Sequence, residues 1–284
     1  MKYLLILLFF IGQYTLAQNF ESFQLYNKKG KKISAKKFIK QIEEGEIILF
    51  GELHDNPIAH WLQLKTTQEM SKIHSVSLGA EMLEANNQKQ LNAYLSGEIS
   101  QKELDSLASL WVNYKTDYKP LVDHAKENSL PFIATNVPRK FASHVYRNGI
   151  ESLEADLTDE EKTWVAPLPI AYDPELPGYK SMLTMMSDHA NPNFPKAQAI
   201  KDATMAHFIY QEYNANNNQF IHFNGDYHSK NFEGIYWYLK RKDPALHIIT
   251  ISTVEQADVT KLQDEFKGQA DFILVVDQDM TKTY

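Results

Sequence analysis

The chain has 284 residues, no cysteine, and 36 acidic against 29 basic residues, which gives a net charge of −7. Such an acidic balance lacks the broad basic face that nucleic-acid binding needs, so nucleic acid is not an expected partner. The absence of cysteine excludes disulfides, thiolate metal ligands and a catalytic thiol. The 15 Tyr and 15 Phe residues suit either a well-filled core or an aromatic-lined ligand pocket.

Residues 1–17 have the pattern of a signal peptide. Lys2 precedes an apolar run over 4–11 that is too short to span a bilayer comfortably, and the small residue Ala17 stands before Gln18 at a cleavage site. The mature chain, 18–284, has the size of one domain with an insertion. We expect export to the periplasm or the exterior, and no lipid anchor, because a lipobox cysteine is missing.

Strands and helices alternate along the mature chain. The predicted strands lie at 20–26, 47–50, 75–80, 131–134, 220–223, 246–251 and 272–276. The predicted helices lie at 35–43, 58–73, 86–95, 101–110, 121–128, 140–148, 196–214 and 233–241. This alternation predicts an α/β fold with a mostly parallel central sheet flanked by helices.

Residues 150–195 interrupt this alternation with a stretch rich in Pro, Tyr and Met. We predict that it is a helical insertion that covers the carboxyl edge of the sheet as a lid. The methionines of this stretch more commonly fill an irregular core than line a cofactor site.

Polar side chains follow several strands at the point where each strand ends. Because parallel strands end at one edge, and ligands of open α/β sheets bind there, these side chains predict a site. Glu52 and His54 come first, although they can also simply cap a turn. The residues expected at this edge are Gly51, Glu52, His54, Glu81, Asn136, Arg139, Gly225, Asp226 and His228.

The spacing Gly51-x-x-His54 recurs as Gly225-x-x-His228, each time between an apolar strand and a helix. His54, His228 and Glu81 offer nitrogen and oxygen donors that suit a divalent metal ion. Glu52 or Glu81 would then act as general base on a metal-bound water. The alternative is that each glycine only permits a tight turn and that each histidine is a hydrogen-bonded polar residue.

Several stretches together form a pattern more specific than any single motif. They are 51–57, His60, 81–82, Gln88, 111–121, 136–139, 198–206 and 225–228. Over about residues 40–252 the chain resembles the ChaN-type haem-binding proteins of the Tiki/TraB/erythromycin-esterase-like superfamily.

The resemblance implies an exported protein of iron and haem uptake, with an outer-membrane haem receptor as a further partner. It also implies a homodimer that encloses two stacked haems, with iron coordinated by a tyrosine and propionates held by a histidine and a lysine of the partner. A phenolate ligand favours ferric haem. Tyr118 is the first expected ligand and Tyr114 the second, although Tyr118 can equally be packed against Trp111.

Four residues are expected near the haem propionates from their location alone: His60, Lys65, His189 and Lys230. The same superfamily contains metal-dependent proteases and esterases that use paired Gly-x-x-His motifs, and both motifs are present here. The sequence therefore supports two hypotheses, a haem-binding carrier and a divalent-metal-dependent hydrolase of the protease or esterase type.

Overall fold

The computed structural model describes residues 21–185 and 191–284. The strands are β1 Phe23–Asn27, β2 Lys32–Ile33, β3 Ile47–Glu52, β4 Val76–Glu84, β5 Phe132–Asn136, β6 Gln219–Gly225, β7 Ile248–Gln256 and β8 Phe272–Asp277. The helices up to the middle of the chain are α1 Ala35–Ile42, α2 Pro57–Met70, α3 Gln88–Ser96, α4 Gln101–Leu107, α5 Lys119–Glu127 and α6 Arg139–Asn148. The later helices are α7 Leu153–Asp156, α8 Asp159–Lys162, α9 Pro177–Met185, α10 Phe194–Asn216 and α11 Ile235–Lys242.

These strands form one eight-stranded sheet in the order β2-β1-β8-β7-β3-β6-β4-β5. Strands β3 to β8 run parallel to one another, whereas β1 pairs antiparallel with β8 and β2 antiparallel with β1. The predicted α/β fold with a mostly parallel sheet is confirmed. The two-residue strand β2 was not predicted, because so short a segment has no periodicity to detect.

The burial of the central strand β3 shows that the sheet is covered on both faces. All six of its residues are buried, as expected for an apolar strand inside a parallel sheet. Ile48 and Phe50 face a core cluster on one side of the sheet, and Ile47 and Leu49 face another on the opposite side. This double coverage leaves the carboxyl edge of the sheet as the place where polar side chains can collect.

The turn after β3 is fixed by the start of α2. The Asn56 side chain accepts hydrogen bonds from the backbone N–H groups of Ile58 (3.1 Å) and Ala59 (3.0 Å), and Pro57 occupies the first turn. Asn56 is therefore the N-cap of α2. The cap holds residues 53–56 over the sheet edge, next to the end of β6.

The stretch predicted to be an insertion contains α7, α8 and α9. Helix α9 is attached to the rest of the fold because the backbone N–H of Gly178 donates to Glu233 (2.6 Å) and the Tyr179 hydroxyl donates to Asp202 (2.8 Å). Its role as a lid stays a prediction. The predicted signal peptide, 1–17, lies outside the described residues. Within the described part of the chain, no helix combines the length and apolarity needed to cross a membrane.

Candidate functional site

A cavity of about 640 Å³ lies at the carboxyl edge of the sheet, where β3, β6 and β4 end side by side. Its size falls in the range of small-molecule sites. The ends of these strands and the turns that follow them supply its polar floor. The aromatic and apolar part of its wall consists of Leu53, Trp111, Met182, Phe194, Tyr227 and Tyr284.

Glu52 is the most heavily hydrogen-bonded carboxylate of this floor. It accepts hydrogen bonds from the Tyr118 hydroxyl (2.7 Å), from Gln63 Nε2 (2.6 Å) and from His54 Nδ1 (2.8 Å). Burial alone would raise the pKa of Glu52, but hydrogen bonds from His54 and His60 lower it to about 2. Glu52 is therefore ionised, and its oxygens orient the groups around it.

His54 is held by Glu52 on one side and faces the cavity on the other. Its Nδ1 contacts Glu52, its ring packs edge-on against Trp111 at 4.9 Å, and its side chain is 32% exposed. Burial would lower the pKa of His54, but the hydrogen bond to Glu52 and the charge of Glu81 raise it. The Nε2 atom is consequently the imidazole nitrogen that a cavity ligand or substrate can reach.

A second buried cluster lies beside it. His228 Nε2 donates to Glu81 (3.1 Å) and Nδ1 donates to Asp202 (2.5 Å), while the backbone N–H of Gly225 donates to Glu81 (2.7 Å). Burial would lower the pKa of His228, but the charges of Glu81 and Asp202 raise it to about 9. Two donating ring nitrogens define an imidazolium at neutral pH, placed between two carboxylates.

The two motif glycines create the space that brings these clusters together. A Cβ on Gly225 would lie 2.8 Å from His54 Nε2, and a Cβ on Gly51 would lie 2.8 Å from Asp226 Oδ1 and 2.9 Å from the Ile251 carbonyl oxygen. Gly225 has φ −55°, which any residue can adopt. The glycines are thus explained by close approach rather than by backbone conformation.

The remaining residues expected at the sheet edge occupy different positions around the cavity. Asn136 is buried and donates to the Glu81 carbonyl oxygen (2.9 Å), which fastens β5 to β4. Arg139 starts α6 and lines a neighbouring cavity, not the main one. Asp226 lines the main cavity, is buried, and has its pKa raised to about 6 by that burial.

The residues expected to bind haem are scattered. Tyr118 and Tyr114 are each 2% exposed, and neither lines the main cavity. Lys230 lines the cavity, and Lys65 is exposed on α2 away from its lining. His189 lies outside the described residues.

His60 supports the floor of the cavity from behind. It is 6% exposed, and its Nε2 donates to the His54 carbonyl oxygen (3.0 Å). Burial would lower the pKa of His60, but the hydrogen bond to Glu52 and the charges of Glu52 and Asp117 raise it to about 9. His60 therefore contributes positive charge next to Glu52.

The sequence reading missed Gln63, Asp202 and Tyr179 as parts of the site. Gln63 lies one turn after His60 on α2, and both side chains face the sheet, together with Thr66 and Thr67. This buried polar face of α2 was the available signal, because a core helix normally presents apolar residues at that spacing. Asp202 belongs to the 198–206 stretch of the family pattern but was not assigned to the site, and Tyr179 gave no local signal; both reach the site only through the fold.

The donor set does not fit the predicted divalent metal ion. Among the residues that the structure describes, no group of three or more His, Asp or Glu side chains is arranged to hold a metal. Both ring nitrogens of His228 contact carboxylates, so neither offers a lone pair to an ion.

A comparison with curated proteins finds no match. Among solved structures, the chain is similar to ChaN of Campylobacter jejuni, in a structure of cofacial haem binding, with a TM-score of 0.66 and 18% identity over 90% of this chain and 97% of that chain. It is also similar to a succinoglycan biosynthesis protein, with a TM-score of 0.54 and 12% identity over 90% of this chain and 94% of that chain.

At these identities the two structures support the fold alone. The family described as "Haem-binding uptake, Tiki superfamily, ChaN" matches residues 38–239, which is most of the chain. The chain therefore belongs to the ChaN family of haem-binding uptake proteins in the Tiki superfamily.

Proposed function

We propose that this protein is an exported haem-binding protein of iron or haem uptake, and that haem occupies the cavity at the sheet edge. The observation that carries the proposal is the composition of that cavity. Trp111, Phe194 and Tyr227 supply aromatic walls, and Lys201 and Lys230 supply positive charge. A flat apolar macrocycle with two carboxylates needs this combination of aromatic surface and cations.

The tyrosine expected from the sequence to coordinate the iron is not the one that the contacts in the structure favour. The hydroxyl of Tyr118 donates to buried, ionised Glu52, so ligation by Tyr118 would require that contact to break. The Tyr284 side chain is 63% exposed and lines both the main cavity and the next one. We therefore propose the Tyr284 phenolate as the ligand, with Tyr118 as the alternative.

A haem iron held by a phenolate is stabilised in the ferric state. The protein's own residues would orient the group: Lys201 and Lys230 would bind propionates, and the Trp111 ring would cover one face of the macrocycle. His54 Nε2 also faces the cavity. Its lone pair would coordinate the iron when the imidazole is neutral, and its N–H would donate to a propionate when it is protonated.

The proposed dimer is supported by the surface next to the cavity. A second cavity of about 850 Å³ shares Trp111 and Tyr284 with the main one. Val112 lies on its wall and is 88% exposed. An exposed apolar side chain beside an aromatic-lined opening suits coverage by a second copy of the chain.

The experiment is a haemin titration of the mature chain followed through the Soret band, with three matched tyrosine variants. We expect Tyr284→Phe to shift the band and weaken binding at least tenfold. Tyr236→Phe, far from the cavity in the lining of another one, should bind as the unchanged chain does. Loss of the ligand band in Tyr118→Phe but not in Tyr284→Phe would return the ligand to Tyr118.

A second candidate function is hydrolysis, favoured by the Glu52–His54 pair. A carboxylate that holds Nδ1 of an imidazole, with Nε2 facing a cavity, is the arrangement of a general base. His54 Nε2 would take a proton from water, and the charge of Lys201 would stabilise the oxyanion that develops. Because the donor set does not fit a metal ion, no step is assigned to one.

Hydrolysis is tested with an activated ester and with peptide substrates. The rate should rise with pH as His54 loses its proton and should fall at least a hundredfold in His54→Gln. It should be unchanged in His144→Gln, which alters a partly exposed histidine on α6. If the unchanged chain and His54→Gln hydrolyse the substrates at equal rates across pH 6–9, this candidate is excluded.

A further inference from the structure

A separate trough lies between α6 and α10. Its cavity measures about 310 Å³. Helix α6 lines it at positions 139, 142, 143, 146 and 147, and α10 lines it at 194, 197, 198 and 201. Both sets have the spacing of a single helix face, so two helices present one face each to the same groove. The lining includes small residues at 142, 143 and 197, which occupy little of the space between the helices.

The charged residues of this trough are all cationic: Arg139, Arg147 and Lys201. Within the described ranges, none of the three forms an ion pair. Neighbouring cations on the same helices do, since Lys140 contacts Glu161 (2.6 Å) and Lys196 contacts Glu151 (2.8 Å). In a chain with 36 acidic and 29 basic residues, three cations around one groove that form no ion pair in the described part of the chain suit an anion from outside the chain.

The cations lie at both ends of the trough. The Tyr146 and Phe194 rings meet edge to face at 6.3 Å, which places Arg147 where α10 begins. Lys201 lies seven residues after Phe194 on α10. At 1.5 Å per residue this is about 10 Å along the helix, toward Arg139. The Arg139 backbone N–H donates to Glu84 (3.1 Å), whereas no acidic side chain among the described residues is hydrogen-bonded to Arg147.

We propose that this trough is a binding site for a small polyanion with at least two oxyanion groups, carboxylate or phosphate, separate from the main cavity. Guanidinium groups bind both kinds of oxyanion by paired N–H donors. The aromatic pair at the Arg147 end covers the apolar part of such a ligand. Lys201 and Gln198 line both the trough and the main cavity, so the two sites adjoin.

The test is isothermal titration of the mature, haem-free chain with two probes, citrate and inorganic pyrophosphate. We expect saturable binding of at least one probe, weakened by salt because the contacts are ionic and partly exposed. Preference for citrate identifies a carboxylate ligand, and preference for pyrophosphate identifies a phosphate ligand. Either preference supports the site.

Variants then locate the site. Arg147→Gln and Lys201→Gln should each weaken the probe about tenfold. Lys140→Gln removes one cation of the same helix that is already paired with Glu161, and it should change the affinity less than twofold. Equal weakening by Lys140→Gln would show that net charge alone attracts the probe and would overturn the proposal.

The haem proposal is tested separately, because the probes are used without haemin. Absence of saturable binding for both probes overturns the polyanion site and leaves haem binding untouched. Loss of haemin affinity in Arg147→Gln, with no probe binding, also overturns it and assigns the trough to the haem ligand instead.

Discussion

Replacing His228 by glutamine removes the cation between two buried carboxylates. Glu81, Asp202 and His228 are exposed by 3%, 1% and 4%, so water cannot compensate the charges that remain. Glutamine keeps much of the side-chain volume and can donate one hydrogen bond, but it carries no charge. The variant therefore isolates the electrostatic role of the imidazolium.

The magnitude follows from the pKa of His228. It is raised to about 9 from an ordinary 6.5, and each unit corresponds to about 1.4 kcal/mol, so the ionised histidine contributes about 3 kcal/mol. Because the folded pKa is raised, this contribution is fully present below pH 6.5 and is lost as the pH rises through about 9. Breaking a buried ion pair by removing one partner costs about 3–5 kcal/mol, which agrees.

In His228→Gln two adjacent buried carboxylates repel each other, so one of them takes up a proton and its pKa rises. The loss of stability should be about 3–5 kcal/mol at pH 7. This loss of stability should be smaller by up to about 3 kcal/mol at pH 5, because the two pH units between pH 7 and pH 5 favour protonation of that carboxyl. The measurement is urea unfolding at pH 5, 7 and 9; if the variant is unfolded at pH 7, the value at pH 5 is still accessible.

The matched control is His144→Gln. His144 Nε2 contacts Asp156 at 3.0 Å, but the two side chains are 25% and 50% exposed. An exposed pair contributes about 0–1 kcal/mol. If His228→Gln costs no more than this control, or if its cost is the same at pH 5 and pH 7, the imidazolium between two carboxylates is not a correct description of the site.

Three further predictions concern the same edge of the sheet. Gly225→Ala places a methyl group 2.8 Å from His54 Nε2, which should cost about 1–3 kcal/mol of stability and weaken haemin binding; unchanged haemin affinity would contradict the close-approach argument. Gln63→Leu removes a donor to Glu52 and should cost about 1–3 kcal/mol in urea unfolding, against a small effect for Gln68→Leu on the exposed face of α2. Asp226→Asn should stabilise the fold at pH 8 by up to about 3 kcal/mol and not at pH 4, because burial raises the pKa of Asp226 from 3.8 to about 6 and stability is lost as the pH rises through that interval. If Asp226→Asn is no more stable than the unchanged chain at pH 8, the charge of ionised Asp226 is compensated by its surroundings in the fold.

The sheet and the place of the site could be predicted because both depend on short-range patterns. The apolar run at 47–50 followed by polar residues indicated a buried strand that ends at a ligand-binding edge, and β3 ends at Glu52. The helix predicted at 58–73 is α2, which begins at Pro57 after its N-cap Asn56. Parallel pairing then brings Glu52 beside Gly225 without any further information.

The partners of each site residue could not be predicted, because they depend on packing between distant segments. Tyr118 looked free for a ligand in the sequence, but a π-helical turn at Tyr114–Tyr118 carries its hydroxyl to Glu52, 66 residues away. Asp202 lies 26 residues before His228 and meets it only because α10 crosses the sheet edge. The sequence pattern identifies the residue types of the site, and the fold decides which of them remain accessible.

Haem binding itself is tested most directly by titrating haemin into a protein of residues 18–284 at pH 7 and recording absorbance together with sedimentation velocity. We expect a saturable Soret band at one haem per chain, with a shift from monomer to dimer as the surface around Trp111 and Val112 is covered. A titration that remains linear, with no saturable band and no change in sedimentation, would contradict it.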